Sequence, residues 1–236
     1  MWTGNKRPFD GACLGILGMD TAFARPPGDV GNARTWPFPV QYRRVADSTV
    51  SAVVTGRGEG LFEAFAAAAE DLVAHGADGI ATTCGFLVLY QEQLTRRLPV
   101  PVASSSLLQI PMVESLLPAG RRVGVITFSA ADLGGEHFRA AGAPEDTPCV
   151  GVPADGAFHR TIADDLETAD LAAMRADVLA AGERLLNAHP DIGAIVLECA
   201  NMPPYAAALR EASGLPVFDV YSFLTWFHAG LRPRRW

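Results

Sequence analysis

The sequence contains the same ordered set of motifs twice, and this internal repeat constrains the fold more than any other feature. Each copy has an apolar segment, a segment that starts with histidine and leads into a second apolar run, a cysteine after that run, and a Leu-Pro-Val tripeptide. The first copy has these at residues 14–17, 75–80, 84 and 98–100, and the second copy at 123–126, 189–195, 199 and 215–217. We therefore expect two similar folded units.

The two cysteines, Cys84 and Cys199, each follow an apolar run, at residues 79–83 and 194–198, and each precedes a helix-compatible segment, at 86–97 and 203–212. Short apolar runs that alternate with helices are typical of buried parallel strands. Further strands are predicted at 38–45, 100–103, 123–127 and 217–220. Further helices are predicted at 61–74, 107–117, 130–141, 170–188 and 221–230.

This alternation predicts the α/β class, with two similar Rossmann-like (flavodoxin-like) lobes, each built on a parallel sheet that is covered by helices. We assign residues 1–107 and 216–236 to the lobe that carries Cys84. Residues 108–215 form the lobe that carries Cys199. If the lobes face each other about a pseudo-twofold axis, the two thiols flank one cleft.

Each thiol is predicted to lie at the carboxyl end of a strand, where open α/β sheets bind ligands. A helix N-terminus next to a thiol lowers its pKa from the usual value of about 8.5. Cys84 and Cys199 are therefore candidates for proton transfer, although a free cysteine can also be a small core residue. Cys13 and Cys149 lie in apolar surroundings outside the repeat and are predicted to be core or neutral residues.

Composition excludes several classes of function. The 236-residue chain has a formal net charge of −7 and is 49% hydrophobic, which argues against a nucleic-acid partner and supplies a large core. No apolar run approaches the roughly 20 residues of a membrane span, and we expect a cytoplasmic protein with reduced thiols and no membrane partner. No metal or nucleotide motif is present, so we expect neither a metal nor a cofactor. A homo-oligomer is possible.

The chain resembles the aspartate/glutamate/hydantoin racemase superfamily in three segments, at residues 15–20, 82–85 and 198–203. The resemblance spans essentially the whole chain. It implies two α/β lobes with an active site between them and a cofactor-independent racemase or epimerase of an amino acid or amino-acid derivative. In such enzymes one cysteine, as thiolate, removes the proton from the stereocentre, and the other, as thiol, delivers a proton to the opposite face. The implied substrate is a small carboxylate or a hydantoin-like ring.

The substrate carboxylate needs fixed hydrogen-bond donors, because a carbon acid is weak and the developing negative charge must be stabilised. These donors are predicted at the strand ends, with turn or helix-cap roles as the alternative for the side chains. They are the backbone N–H groups around Gly85 and Ala200 and the side chains of Thr83, Thr127 and Asn201. Asp20 matches a family position near one cysteine, and it could equally cap a turn.

The chain also departs from the glutamate racemase pattern. Gly85 and Phe86 follow Cys84, Ala200 and Asn201 follow Cys199, and the usual histidine partner is missing. This argues against free glutamate as the substrate, and Phe86 favours a more apolar substrate pocket.

Other readings remain open. They are a maleate-type cis/trans isomerase, a related decarboxylase of the same superfamily, and a two-lobed small-molecule binding protein. The Pro/Gly-rich segment 24–32 is a candidate lid.

Overall fold

The computed structural model describes residues 8, 10, 11 and 13–234 and contains two four-stranded parallel sheets. The ends of the predicted first lobe, residues 1–7, 235 and 236, lie outside the described residues, as do residues 9 and 12.

The first sheet has the strand order β2-β1-β3-β4. Its strands are β1 (Leu14–Gly18), β2 (Val40–Arg44), β3 (Gly79–Thr82) and β4 (Val102–Ala103). The central strands are buried on both sides, with Leu14, Ile16 and Ile80 fully buried. Apolar runs without alternation therefore form the middle of the sheet, as expected for parallel strands under helices.

The second sheet repeats this arrangement with the order β6-β5-β7-β8. Its strands are β5 (Arg122–Thr127), β6 (Cys149–Gly151), β7 (Ile192–Leu197) and β8 (Val217–Phe218). The central strands again come from the apolar runs of the repeat. The predicted α/β fold with two similar parallel-sheet lobes is confirmed.

Helices cover both sheets. They are α1 (Val50–Val53), α2 (Phe62–Ala74), α3 (Gln91–Arg97), α4 (Ile110–Leu116), α5 (Gly135–Ala140), α6 (Ala157–Ala163), α7 (Leu171–Ala188), α8 (Pro203–Ser213) and α9 (Val220–Leu231). Short 3₁₀ helices lie at Ala33–Thr35, Gly85–Tyr90 and Ser106–Gln109. None of the helices in the described part of the chain is both long enough and apolar enough to cross a membrane.

The lobes exchange their closing helices. Helix α4 follows the last strand of the first sheet but contacts β5 of the second, whereas α9 follows β8 and contacts β3 of the first. Val220, Phe223 and Leu224 of α9 are buried in one cluster with Leu14 and Ile16 of β1. The chain thus crosses between the lobes twice.

The return crossing differs from the predicted boundary at residue 216. Strand β8 pairs with β7, with Val217 opposite Ile195, so it belongs to the second lobe. The chain crosses back only after β8. The predicted strand 217–220 also ends early, at Phe218, because the Asp219 carboxylate accepts a 2.8 Å hydrogen bond from the Ser222 N–H and starts α9 there.

Two other segments differ from the sequence predictions. The segment after Cys84 begins as a 3₁₀ helix and becomes α-helical at Gln91. The predicted helix 130–141 is formed only over Gly135–Ala140. In addition, β6 and α6 were not predicted, because neither segment carries a clear periodic pattern.

Candidate active site

A cavity with about 390 Å³ of free space lies where the carboxyl ends of the two sheets meet. Cys84 and Cys199 both line it, one from each lobe. Most of its wall is apolar and includes the rings of Phe23, Phe86 and Phe128.

Cys84 follows strand β3 and immediately precedes the 3₁₀ helix Gly85–Tyr90. The Thr82 hydroxyl fixes this turn by donating a 3.0 Å hydrogen bond to the Cys84 carbonyl oxygen. Burial raises the pKa of the Cys84 thiol to about 12, and the charge of Glu198 adds to the rise. The backbone N–H groups of Phe86 and Leu87 lower the pKa, but burial outweighs them. The protonated thiol is therefore favoured at neutral pH, contrary to the expectation from the helix terminus alone.

Cys199 occupies the equivalent place after strand β7. Its thiol donates a hydrogen bond to Asn201 Oδ1, with a sulfur to oxygen distance of 3.4 Å. Burial is the main reason why the pKa of Cys199 lies well above its ordinary value. The negative charge of Glu198 raises this pKa further. Both thiols thus need a change in their surroundings before either can act as a base.

The segment 24–32, which we predicted as a candidate lid, forms part of the wall beside Cys199. The Asn201 side-chain amide donates a 2.7 Å hydrogen bond to Asp29 Oδ2, and the Val30 N–H donates to the Ala200 carbonyl oxygen at 3.2 Å. Burial raises the pKa of Asp29, and Arg25 acts against the rise. These contacts hold the segment against the second lobe.

Arg25 is the basic residue of the cavity lining. Its guanidinium donates hydrogen bonds to Asp29 Oδ1 at 3.2 Å and to Thr21 Oγ1 at 2.6 Å. It also lies 4.0 Å from the centroid of the Phe23 ring. These three contacts fix the positive charge at one side of the cavity.

Sequence reasoning missed Glu198, which lines the cavity together with the two cysteines. Its side chain is buried, and burial raises its pKa to about 7. One oxygen, Oε2, accepts a 2.7 Å hydrogen bond from Thr127 Oγ1, whereas Oε1 has no hydrogen-bond partner. The available signal was an acidic residue at the end of a buried apolar strand.

Gly85 allows the first lobe to approach Glu198 closely. A Cβ atom at position 85 would overlap Glu198 Oε1 and lie 2.6 Å from the Glu198 carbonyl oxygen. The absence of a side chain at this position thus makes room for the Glu198 carboxyl group. Any larger residue at position 85 would therefore displace Glu198.

The structure brings four of the six predicted substrate-binding residues to the cavity, namely Thr83, Gly85, Ala200 and Asn201. Thr83 Oγ1 already accepts a 3.1 Å hydrogen bond from the Met19 N–H. Among the described residues, the N–H groups of Gly85 and Ala200 have no acceptor. Each of these two free donors directly follows one of the cysteines.

The other two predicted residues lie elsewhere. Thr127 is fully buried and does not line the cavity; it contacts Glu198 instead. Asp20 is also absent from the lining, and its carboxylate accepts hydrogen bonds from Arg44 at 2.6 Å and from the Asp47 N–H at 3.1 Å. Asp20 thus has the turn-capping role that the sequence left open.

Comparison with known proteins gives relatives over nearly the whole chain. A dimethylsulfoniopropionate lyase from Durusdinium sp. clade D is 28% identical over 244 residues, which cover 97% of this chain and 80% of that protein. Dimethylsulfoniopropionate lyase 5 from Emiliania huxleyi (strain CCMP1516) is 28% identical over 237 residues, covering 92% of this chain and 45% of that protein. The chain thus spans less than half the length of the Emiliania protein. No protein-family model matches the sequence.

Solved structures share the fold at low sequence identity. A liganded double mutant of arylmalonate decarboxylase is 17% identical with a TM-score of 0.64, covering 93% of this chain and 92% of that one. A glutamate racemase from Bacillus anthracis is 14% identical with a TM-score of 0.59, covering 94% and 83%. An allantoin racemase from Pseudomonas fluorescens is 14% identical with a TM-score of 0.56, covering 92% and 90%.

These comparisons correct one prediction and confirm another. Our prediction of an isomerase, an amino-acid racemase or epimerase, is wrong, because the relatives that align over nearly the whole chain are lyases. The alternatives from the same superfamily agree better with the findings. The chain therefore has the two-lobed fold of the aspartate/glutamate/hydantoin racemase superfamily, as its paired cysteine motifs predict.

Proposed function

We propose that this protein is a lyase that cleaves dimethylsulfoniopropionate, or a close analogue, by β-elimination. A base removes a proton from the carbon next to the carboxylate. The carbon–hydrogen electron pair forms the new double bond, and the carbon–sulfur bond breaks with its electron pair leaving on sulfur. The products are dimethyl sulfide, acrylate and the protonated base, so no oxidant or reductant is required.

The observation that carries the proposal is the pair of thiols in one cavity, each followed by a backbone N–H without an acceptor. Removal of a proton next to a carboxylate places negative charge on the carboxylate oxygens. Donors fixed before the reaction stabilise this charge in the transition state. The N–H groups of Gly85 and Ala200 would supply two such donors, and either thiol is then next to the acidic carbon.

The aromatic wall suits the sulfonium end of such a substrate. Phe23, Phe86 and Phe128 line the cavity and are themselves buried. An onium cation is attracted to the faces of aromatic rings, and its methyl groups are compatible with an apolar wall. A racemase for free amino acids would instead have to bind an ammonium group with hydrogen-bond acceptors.

The sulfonium group of the substrate would also activate the thiols. Burial and the charge of Glu198 raise the pKa of both cysteines. A fixed positive charge a few ångströms away favours the thiolate and lowers a thiol pKa. The substrate itself would thus supply the change in surroundings that turns a buried thiol into a base.

The test is to incubate the purified protein with dimethylsulfoniopropionate and to measure dimethyl sulfide by gas chromatography and acrylate by NMR. We expect the two products in equal amounts. The analogue 3-(methylthio)propionate should not be cleaved, because its sulfur is a neutral thioether and not a cationic leaving group. Release of dimethyl sulfide no faster than in the enzyme-free control would overturn the proposal.

A further inference from the structure

We propose that Glu198 acts as a neutral carboxylic acid whose Oε1–H donates a hydrogen bond to the substrate carboxylate and stabilises the negative charge that develops on it as the neighbouring carbon loses its proton. This role rests on the proposed elimination reaction. It would make Glu198 a catalytic residue and a third donor beside the two backbone N–H groups.

The position of Glu198 is the first support. It directly follows strand β7 of the second lobe and precedes Cys199, and its Oε1 lies against Gly85 of the first lobe. The cavity is lined by this side chain and by both cysteines. The carboxyl group thus lies against Gly85, whose N–H is one of the two backbone donors that we assign to the substrate carboxylate.

The hydrogen bonds of Glu198 are the second support. Thr127 donates its only hydroxyl proton to Oε2, so that oxygen acts as an acceptor. Oε1 is buried and has no partner. Buried polar atoms are rarely left unsatisfied, and because Glu198 lines the cavity, a bound substrate can supply the missing partner. With Oε2 held as an acceptor, the acid proton lies on Oε1 and can be donated to an anion.

The charges around Glu198 are the third support. Its negative charge raises the pKa of three thiols that face it, those of Cys84, Cys149 and Cys199. Arg25 is the cation that lines the same cavity. A neutral Glu198 would no longer oppose ionisation of the catalytic thiol. Burial already raises the pKa of Glu198 to about 7, so the neutral form is populated at neutral pH. A nearby substrate carboxylate would favour the neutral form further.

Two other roles for Glu198 make different demands. A general base must be an ionised carboxylate, and so must a counterion for the sulfonium group. A hydrogen-bond donor must instead be neutral. A side chain that can donate a hydrogen bond but never ionises would therefore keep the proposed role and lose both alternative roles.

We would compare Glu198→Gln with Glu198→Leu, measuring kcat/KM for dimethylsulfoniopropionate from pH 6 to pH 9. Glutamine keeps an N–H donor of similar reach, so we expect activity at pH 6 within about tenfold of the wild type. In the wild type, kcat/KM should fall above about pH 7, because Glu198 ionises there. We expect no such fall in kcat/KM for Glu198→Gln. Leucine removes the donor, and losing one such donor costs about 10²–10³ in rate. The proposal would be overturned if the Glu198→Gln variant were as inactive as the Glu198→Leu variant.

A second measurement does not depend on the lyase reaction. The pH dependence of iodoacetamide alkylation at Cys84 and Cys199 is followed by mass spectrometry in the substrate-free protein. We expect both midpoints to move to lower pH in Glu198→Gln, and not in the control Glu211→Gln, which changes an exposed acid on α8. Unchanged midpoints in Glu198→Gln would overturn the inference about Glu198. A wild type that releases no dimethyl sulfide would instead overturn the proposed reaction.

Discussion

Asn201 joins the two lobes through Asp29, to which its side-chain amide donates a 2.7 Å hydrogen bond, while its carbonyl oxygen accepts from the Cys199 thiol at 3.4 Å. One amide thus orients a candidate catalytic thiol and holds the segment 24–32 against the second lobe. Because Asp29 is buried, its carboxylate depends on such donors.

Replacing Asn201 by alanine is expected to lower the free energy of unfolding by about 1–3 kcal/mol, because Asp29 Oδ2 would be left buried without its donor. Urea denaturation followed by circular dichroism measures the change. Arg34→Ala, an exposed substitution in the same loop region, is the control and should change stability by less than about 0.5 kcal/mol. Equal stability of Asn201→Ala and the wild type would contradict the structural role of this hydrogen bond.

Gly85→Ala is expected to lower both stability and lyase activity. The new Cβ would overlap Glu198 Oε1, and forcing extra atoms into a packed region costs about 1–3 kcal/mol. The control is Gly230→Ala in α9, where a Cβ would meet no atom within 4 Å. That helical substitution should be neutral or slightly stabilising. A Gly85→Ala protein with the thermal midpoint and activity of the wild type would show that Glu198 does not fill this space.

Replacing the thiol that acts as the base is expected to reduce dimethyl sulfide release by 10²-fold or more, since a positioned acid or base is worth about 10²–10⁴. Cys84→Ser and Cys199→Ser are compared to identify this thiol, and Cys149→Ser is the matched control. Cys149 is half-buried on β6 and does not line the cavity, so activity should remain. Circular dichroism checks that all three variants fold. Activity equal to the wild type in both Cys84→Ser and Cys199→Ser would exclude a thiol base.

The pH dependence of stability should reveal the buried Glu198. Its pKa is about 7 in the folded protein, raised from 4.5, so the neutral form is favoured by folding. The stabilisation is fully present below about pH 4.5 and is lost as pH rises through about 7, a change on the order of 3 kcal/mol. Urea denaturation of the wild type and Glu198→Gln at several pH values measures it. The stability of Glu198→Gln relative to the wild type should rise between pH 5 and pH 8, and a difference independent of pH would contradict the assignment.

The repeat predicted the central strands well, because apolar runs such as those of β1 and β5 are stable mainly when they are buried in the middle of a sheet. It also predicted that Cys84 and Cys199 lie in one cavity, since matching strand ends of two facing lobes meet there. The boundary of β8 was harder to predict, because the Asp219 cap that ends the strand is a local side-chain contact.

The role of Glu198 could not be read from the sequence, because its environment is formed by Gly85 from the other lobe. Likewise, a pair of thiols is compatible with several proton transfers, and it was the resemblance to the racemase superfamily that favoured racemisation. Phe86 and Asn201 were the informative positions. Phe86 forms part of an aromatic wall, and Asn201 accepts a hydrogen bond from Cys199 and donates one to Asp29.

The exchange of α4 and α9 makes each half of the molecule dependent on the other. A protein truncated after β8 would leave Leu14 and Ile16 of the first sheet without their apolar cover. Separate expression of the two halves is therefore expected to give folded material only when both are present together.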